Sequence, residues 1–587
     1  MGQKILVYFT VFALLTYIMG SCANTTTPPM GGPKDTIPPV MLSIHPAQGS
    51  VDIPVEGATI TLKFDEYIAA PLKNATNEIY ISPPLERRVV AKVRGKSVIL
   101  SFDTPLDSST TYILNLGNSI VDNNEGNQFP PYTVTFSTGA YIDSMLVSGY
   151  VLNAETLMPQ LNVKMALYED RSDSVVYNSL PSALAKTDSA GYFLLRNIPA
   201  KNYTAFAFSD ENNNNKYDPD NEMVAFLDSL IYPTKVVRDN MAELARFNSK
   251  DSTAEARPAD LTVYMFKEDP FVQFIRESKR SEQRRVEISF GAPKTQLISA
   301  IFEGVDSAAV LREFNPKRDT LNLWIADTTL VLPDTLKLSL SYYKTDSLRQ
   351  LSPAIDELKL VYNKKDTLKS FNPLIKSYPS TIKREGFAIS LSAPIAAILH
   401  DSIRLESANI RKEITSVPYN IVMDTTSYLK YRVFPESELE EGFEYTLVVS
   451  EGAFTNIYGL KNSLVSNKIS LPQDPKLSTL ILDISAGVEG RVRIDLMDEK
   501  RQKIFGTYDI SGMDDAKLEF PYITAGNYSV RIAHDRNGNG VIDTGSIKER
   551  RQPEKVVIYT LSSGKDIIII GEGMDIEQSI DLKSLFQ

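Results

Sequence analysis

The sequence predicts an all-β protein built of β-sandwich domains in series, with a two-domain unit duplicated around a middle β domain, and three observations lead there. Apolar residues alternate with polar ones wherever a pattern is legible: Ile60, Leu62 and Phe64 in TITLKF, Val98, Leu100 and Phe102 in SVILSF, Val134 and Phe136 in YTVTF. A period of two puts each set on one face of a strand. The chain is also punctuated by 33 Pro and 29 Gly, with no long helical periodicity between them, which suits short strands joined by turns. Finally, the pattern is written twice. TYILNLGNSIVDNNEG (111–126) and EYTLVVSEGAFTNIYG (444–459) share a Tyr, alternating apolar residues and a Gly fourteen residues after that Tyr. NYTAFAFSDENNNNKYD (202–218) and NYSVRIAHDRNGNGVID (527–543) share Asn-Tyr, Asp-x-Asn-x-Asn and a final Asp without a gap. The two pairs have nearly the same offset, so they mark one repeated unit.

Taken in chain order, the first element is Lys4 followed by an apolar run, Ile5 to Met19, and then Gly20-Ser21-Cys22. A short charged start, a run too short for an ordinary membrane span and small residues before a cleavage point describe a signal peptide over 1–21. Cys22 is the only cysteine in 587 residues, so it has no partner for a disulfide within the chain. The small-small-Cys ending resembles the lipobox of bacterial lipoproteins, with Met19 where Leu is commoner. That resemblance implies acylation of Cys22 and a lipid anchor in the membrane, at about 0.8 kcal/mol per buried methylene. The competing expectation is a plain secretory peptide with an incidental cysteine. Ala23 in place of Asp resembles the enterobacterial sorting rule for the outer membrane, and either face of that membrane stays open. Residues 22–37 are polar and rich in Pro and Gly, an extended tether.

The strand patterns then divide into a larger sandwich at 38–140, a smaller one at 143–235 and a polar linker at 236–257. A middle β domain at 258–366 follows, then a second larger sandwich at 374–472, a second smaller one at 476–575 and a tail at 576–587. GGPKDTIPPVMLSIHPAQGSVDIP, TITLKFDEYI and YILNLGNSIVDNNEGN together resemble the N-terminal bacterial Ig-like domain of a family of Bacteroidota outer-membrane lipoproteins. VSGYVLNAETLMPQLNVKMALYE with DSAGYFLLRNIPAKNYTAFAFSD is similar to transthyretin-like or carboxypeptidase-regulatory-like modules, which implies a binding or structural unit. The larger sandwiches are therefore expected to be Ig-like and the smaller ones transthyretin-like. The second larger copy carries LSAPI (391–395) where the first has FDEYI (64–68), so a role for Asp65 or Glu66 would not carry over.

A formal charge of −11 argues against a nucleic-acid partner, which needs a basic footprint. Arg276, Lys279, Arg280, Arg284 and Arg285 do cluster, but Glu277 and Glu282 are interleaved with them, which reads as a solvated loop. The residues with the clearest chemical pattern are in the repeated loops. Asp535, Asn537, Asn539 and Asp543 stand at positions 1, 3, 5 and 9 of a calcium-loop pattern with Gly540 at position 6, and Ser546 replaces the closing Glu. Asp210, Asn212, Asn214 and Asp218 repeat it, with Asn215 at the glycine position and Asp220 and Glu222 just beyond. Such residues either bind Ca2+ weakly or form an Asx-rich hairpin whose side chains bond their own backbone. Both readings make the loops structural.

Catalytic signatures are poor. The Asp543-Thr544-Gly545 triplet resembles an aspartic-protease motif, whose chemistry needs two carboxylates sharing a proton across a cleft, but the matching position in the other copy reads KYDPDN, without the Thr-Gly. His45, His400 and His534 are scattered without metal-ligand spacing, and no Gly-x-Ser-x-Gly elbow occurs. Carboxylates alone could serve a glycosidase, yet Trp324 is the only tryptophan available for sugar stacking. The expectation is a non-enzymatic outer-membrane lipoprotein acting as a binding or scaffold component of an envelope complex. By resemblance, its partner would be an outer-membrane β-barrel assembly or secretion machine. A surface adhesin or glycan-binding protein is the alternative, and a carboxylate hydrolase the third.

Overall fold

The computed structural model describes residues 35–235, 261–362 and 371–586. The signal segment, Cys22, most of the tether and the expected linker 236–257 lie outside the described residues. Among the described residues, regular structure is almost entirely strand, and the helices are single turns of three to five residues. No helix among the described residues is long and apolar enough to cross a membrane.

The alternating segments form strands and bury the faces that their period assigns. In the first sandwich, strands Met41–His45, Thr59–Phe64, Ser97–Ser101 and Val90–Arg94 form one sheet in that order. Tyr80–Ser82, Thr111–Asn115 and Thr133–Ser137 form the other. Ile60, Leu62, Phe64, Val98, Leu100, Val134 and Phe136 are buried between them, each contributing about 1.5–3 kcal/mol by leaving water. The conserved spacing of the first repeated motif has a physical basis. Tyr112 Oη accepts the backbone N–H of Asp107 at 2.8 Å, and Tyr445 Oη accepts that of Glu440 at 2.7 Å. Each tyrosine ties its strand to the chain five residues upstream, the tyrosine corner of Ig-like sandwiches. The aligned glycines, Gly126 and Gly459, both sit at φ 80°, which favours a residue without Cβ.

The second larger sandwich pairs Leu374–Lys376, Phe387–Ser390, Lys430–Pro435 and Tyr419–Met423 in one sheet. Ile414–Val417, Ile403–Ala408, Glu444–Val449 and Val465–Ser470 form the facing sheet, with a short ribbon of Ile395–Ile398 and Phe454–Asn456 beside them. The middle domain packs Ile275–Glu282, Arg285–Phe290, Thr320–Ile325 and Val310–Phe314 against Leu297–Phe302, Thr335–Thr345 and Leu351–Val361.

The two smaller sandwiches have the same topology. In the first, Ala183–Lys186, Lys164–Tyr168, Thr204–Phe208 and Val224–Phe226 lie opposite Tyr192–Ile198, Met145–Asn153 and Leu261–Met265. In the second, Ile504–Ser511, Arg491–Asp498, Gly526–Asp535 and Val556–Ile558 lie opposite Ala516–Ile523, Ser478–Ser485 and Asp575–Asp581, and Ile568–Ile570 adds to the Gly526 strand. Each closes with a parallel strand, Leu261–Met265 on Met145–Asn153 and Asp575–Asp581 on Ser478–Ser485. The close approach in the first copy requires Gly149, because a Cβ there would lie 2.1 Å from the Leu261 carbonyl oxygen.

These closing strands correct two expected boundaries. Residues 261–265 belong to the first smaller sandwich rather than to the middle domain, and 575–581 are a sheet strand rather than a tail. Neither was legible because a parallel partner comes from far along the chain and leaves no hairpin signal. A third correction concerns the basic cluster, which is a β-hairpin and not a solvated loop. Arg280 is 5 % exposed and donates to the carbonyls of Gln283, Pro333, Asp334 and Leu360.

The chain divides into two compact units, the first Ig-like sandwich through Leu146 with short later stretches, and nearly everything from Val147 onward. Within the second unit the two smaller sandwiches touch each other directly. Arg501 donates to the Thr156 carbonyl at 2.9 Å, Gln552 to that of Phe226 at 3.1 Å, and Arg550 pairs with Asp173. The domains follow one another in sequence, but the repeats also pack on each other.

Candidate functional site: the paired Asp/Asn loops and the seam between the repeats

Each Asp/Asn loop leaves the end of an inner strand, Thr204–Phe208 or Gly526–Asp535, and the two are built alike. Asp210 Oδ1 accepts the N–H of Asn214 at 3.0 Å and Oδ2 that of Asn215 at 2.8 Å. Asp535 does the same for Asn539 and Gly540 at 3.1 and 2.8 Å. Asn212 and Asn537 accept at Oδ1 from the N–H two residues on and donate from Nδ2 to Asp218 and Asp543 at 2.5 and 2.6 Å. Asn214 and Asn539 repeat that arrangement, donating at 3.1 Å. Asn215 and Gly540 take φ of 61° and 80°, as their shared position in the pattern predicts.

A glutamate fastens each loop. Glu222 accepts from the N–H groups of Glu211 and Asp218 at 2.9 and 3.0 Å, and Glu554 from those of Arg536 and Asp543 at 2.9 and 2.8 Å. Burial pushes both carboxyls above their usual range, against the pull of those donors. Glu222 lies four residues beyond Asp218 but Glu554 eleven beyond Asp543, so a fixed-spacing motif could not pair them.

The eight loop residues do not fit calcium. Turning either Asn amide to aim oxygen inward would set its NH2 against a backbone N–H, so the loop interior holds nitrogen donors where a metal needs oxygens. In the first copy a cation is already present. Lys164, from the adjacent strand, pairs with Asp210 and donates to Asn215 Oδ1 at 2.7 Å; the Lys164 and Asp210 side chains are 5 and 1 % exposed. In the second copy Arg493 stands at the same register, opposite Ala533 as Lys164 is opposite Phe208. Arg493 bonds Asp509 at 2.9 Å, while Lys294 of the middle domain reaches Asp543 Oδ1 at 3.2 Å. No group of three or more His, Cys, Asp or Glu side chains converges as a metal site among the described residues. The loops are Asx-rich hairpin connections with their own cations.

Between the repeats lies Glu268, which no sequence motif singles out. It follows the closing strand of the first copy, accepts from Tyr217 Oη at 3.2 Å with Oε2, and accepts from the Ile547 N–H at 2.7 Å with Oε1. Burial pushes its carboxyl up, against the hydrogen bonds of Ile547, Tyr217, Ser546 and Tyr177. Thr544 Oγ1 donates to the Lys267 carbonyl at 2.6 Å. Asp543-Thr544-Gly545 is thus a docking segment, with its carboxylate engaged by Asn537, Asn539 and Lys294. A mixed-charge cleft of about 800 Å³ opens beside it, lined by Lys294, Lys317 and Arg318 as well as Asp220, Asp269 and Asp543. His534 Nε2 is 2.6 Å from the Glu489 carbonyl and holds a loop in place.

Residues 35–138 match the family described as the bacterial Ig-like domain, so the first sandwich is a bacterial Ig-like domain. No curated protein matches the chain. Among solved structures the chain is similar to the S-layer protein rSbsC at 9 % identity, over 75 % of this chain and 67 % of that one, with a TM-score of 0.17. It is similar to alpha-2-macroglobulin of E. coli at 10 % identity, over 89 and 42 % of the two chains, with a TM-score of 0.13. The group B streptococcus pilus 2b backbone protein matches at 10 % identity over 42 and 92 %, with a TM-score of 0.11.

Proposed function

We propose that this chain is a non-enzymatic, lipid-anchored protein of the outer membrane whose sandwiches form a binding scaffold for an envelope complex. One observation carries the reading. The charged groups of the repeated loops, the residues that sequence most readily assigns to chemistry, are spent on the scaffold: Asp535 and Asp543 bond their own loop, and Glu554 clamps it. Such a molecule acts through surface, and Cys22 supplies the anchor that concentrates it at a membrane. The resemblance to Bacteroidota lipoproteins and to transthyretin-like modules supports the same role and makes an outer-membrane β-barrel machine the preferred partner.

The test is extraction of the full-length protein at native abundance in mild detergent after cross-linking in cells, with mass spectrometry of what accompanies it. Stoichiometric recovery of a β-barrel protein is expected, together with an acylated Cys22. A chromatographically clean monomer with an unmodified thiol would overturn the proposal. Digestion of the Ig-like domain by protease on intact cells, with binding to a glycan array, would transfer the reading to an adhesin.

A further inference from the structure

We propose that Lys164 and Asp210 condense into an intramolecular amide, so that the first smaller sandwich carries one covalent strut between neighbouring strands. The register brings the partners together, since Lys164 lies opposite Phe208 and the chain reaches Asp210 two residues later. Their side chains touch and are closed off from solvent, at 5 and 1 % exposure. Two charges in such a place carry a desolvation cost that pairing only partly offsets. An amide removes both charges.

The surroundings are arranged for that step. The N–H groups of Asn214 and Asn215 meet the two carboxyl oxygens at 3.0 and 2.8 Å, polarising the carbon and facing the charge that develops on addition, as an oxyanion hole does. Asn215 Oδ1 accepts from Lys164 Nζ at 2.7 Å and orients the nitrogen. Tyr168 Oη is buried with no hydrogen-bond partner among the described residues. Burial, and then the charge of Asp210, push its ionisation up, so the pair shares its buried strand with a neutral hydroxyl rather than a third charge.

The ammonium passes one proton to the carboxylate, leaving a neutral amine and a carboxylic acid. The amine lone pair adds to the Asp210 carboxyl carbon, and the tetrahedral oxyanion, at Oδ1, faces the Asn214 N–H. The nitrogen then gives up a second proton to the acid hydroxyl, which departs as water, and the Nζ–Cγ amide is complete. One ammonium and one carboxylate become one secondary amide and one water, with no oxidant, metal or co-substrate. The second copy is an internal control. Arg493 holds the register of Lys164, and a delocalised guanidinium is no nucleophile at neutral pH.

Peptide mapping of the full-length protein decides the question. The expected result is a branched peptide joining the segments of Lys164 and Asp210, lighter than their sum by one water, with no tryptic cleavage after Lys164. In the Lys164→Arg and Asp210→Ala proteins the two segments should separate. Wild-type protein that is cleaved after Lys164 and yields both segments unjoined overturns the proposal, and that measurement stands even if neither variant folds.

Discussion

Replacing Glu268 tests whether the repeats are held together as the hydrogen bonds indicate. Glu268→Ala removes the acceptor of the Ile547 N–H and of Tyr217 Oη, and both of those residues are 1 % exposed. A buried donor left without a partner costs about 1–3 kcal/mol, so two of them amount to roughly 2–6 kcal/mol. The loss should appear first as faster hydrogen exchange at the Ile547 amide and then as a lower unfolding midpoint for the second unit. Glu268→Gln keeps an acceptor for Ile547 and should cost far less. It should also flatten the pH dependence. The folded carboxyl titrates above its usual 4.5 because of burial, so its contribution is fully present below the unfolded pKa and is lost as pH rises through the folded one. Wild type should weaken over that interval toward neutral pH and the Gln protein should not. Unchanged Ile547 exchange in the Ala protein would refute the docking argument.

Further outcomes follow from the same geometry. Melting of the full chain should not move between millimolar calcium and chelator; an upward shift with calcium would show that the Asn amides turn inward after all. Arg501→Ala removes the bonds to the Thr156 carbonyl and Asp566 and should cost about 1–3 kcal/mol, read as increased protease cutting between the repeats. Asp122→Ala should destabilise the first Ig-like domain above acidic pH and make no difference below it. Burial opposes ionisation of Asp122, but the N–H groups of Gly126, Glu125, Asn127 and Asn124 outweigh it and hold the carboxyl below its usual range. Its contribution is therefore present above the unfolded pKa and disappears as pH falls through the folded one; acid titration of the melting point checks this. Leu62→Ala empties a fully buried site and should cost about 2–5 kcal/mol, confined in calorimetry to the transition of that domain.

Much of this was legible in the sequence because period two and turn chemistry are local. TITLKF and SVILSF named their buried faces correctly, and the Tyr-to-Gly spacing shared by residues 112–126 and 445–459 marked a tyrosine corner and a left-handed glycine in both copies. The loop pattern left calcium and an Asx-rich hairpin both open, and what it fixed locally was the place of the positive φ that Asn215 shares with Gly540. What escaped was non-local. The strands Leu261–Met265 and Asp575–Asp581 pair in parallel with partners more than ninety residues away, and Glu268 acquires its role only when Ile547 arrives beside it. Lys164 and Arg493 could have been found: NVKMALYED and RVRIDLMDE align with a cation at the same place in each, and a cation matched to an Asp-rich loop competes with a metal.

The difference between the copies gives the strut a physical reason to sit in the first. In the second copy the inner strand gains Ile568–Ile570 as an extra partner, and the closing strand begins at Asp575, only a few residues later. In the first copy the last antiparallel strand ends at Phe226 and the closing strand begins at Leu261. That longer connection raises the entropy lost on closure, though only by about 0.6 kcal/mol per doubling of length, and at the matching place the sheet of Thr204–Phe208 gains only the single Tyr203–Ile231 bridge. A cross-link between residues 46 apart restricts the unfolded chain by about 4 kcal/mol on the scale established for disulfides, more than the longer closure loses. The Lys164→Arg protein, which keeps the charge and loses the amide, should therefore melt lower in the second unit while leaving the Ig-like domain unchanged; equal melting of the two proteins would mean that the ion pair alone suffices.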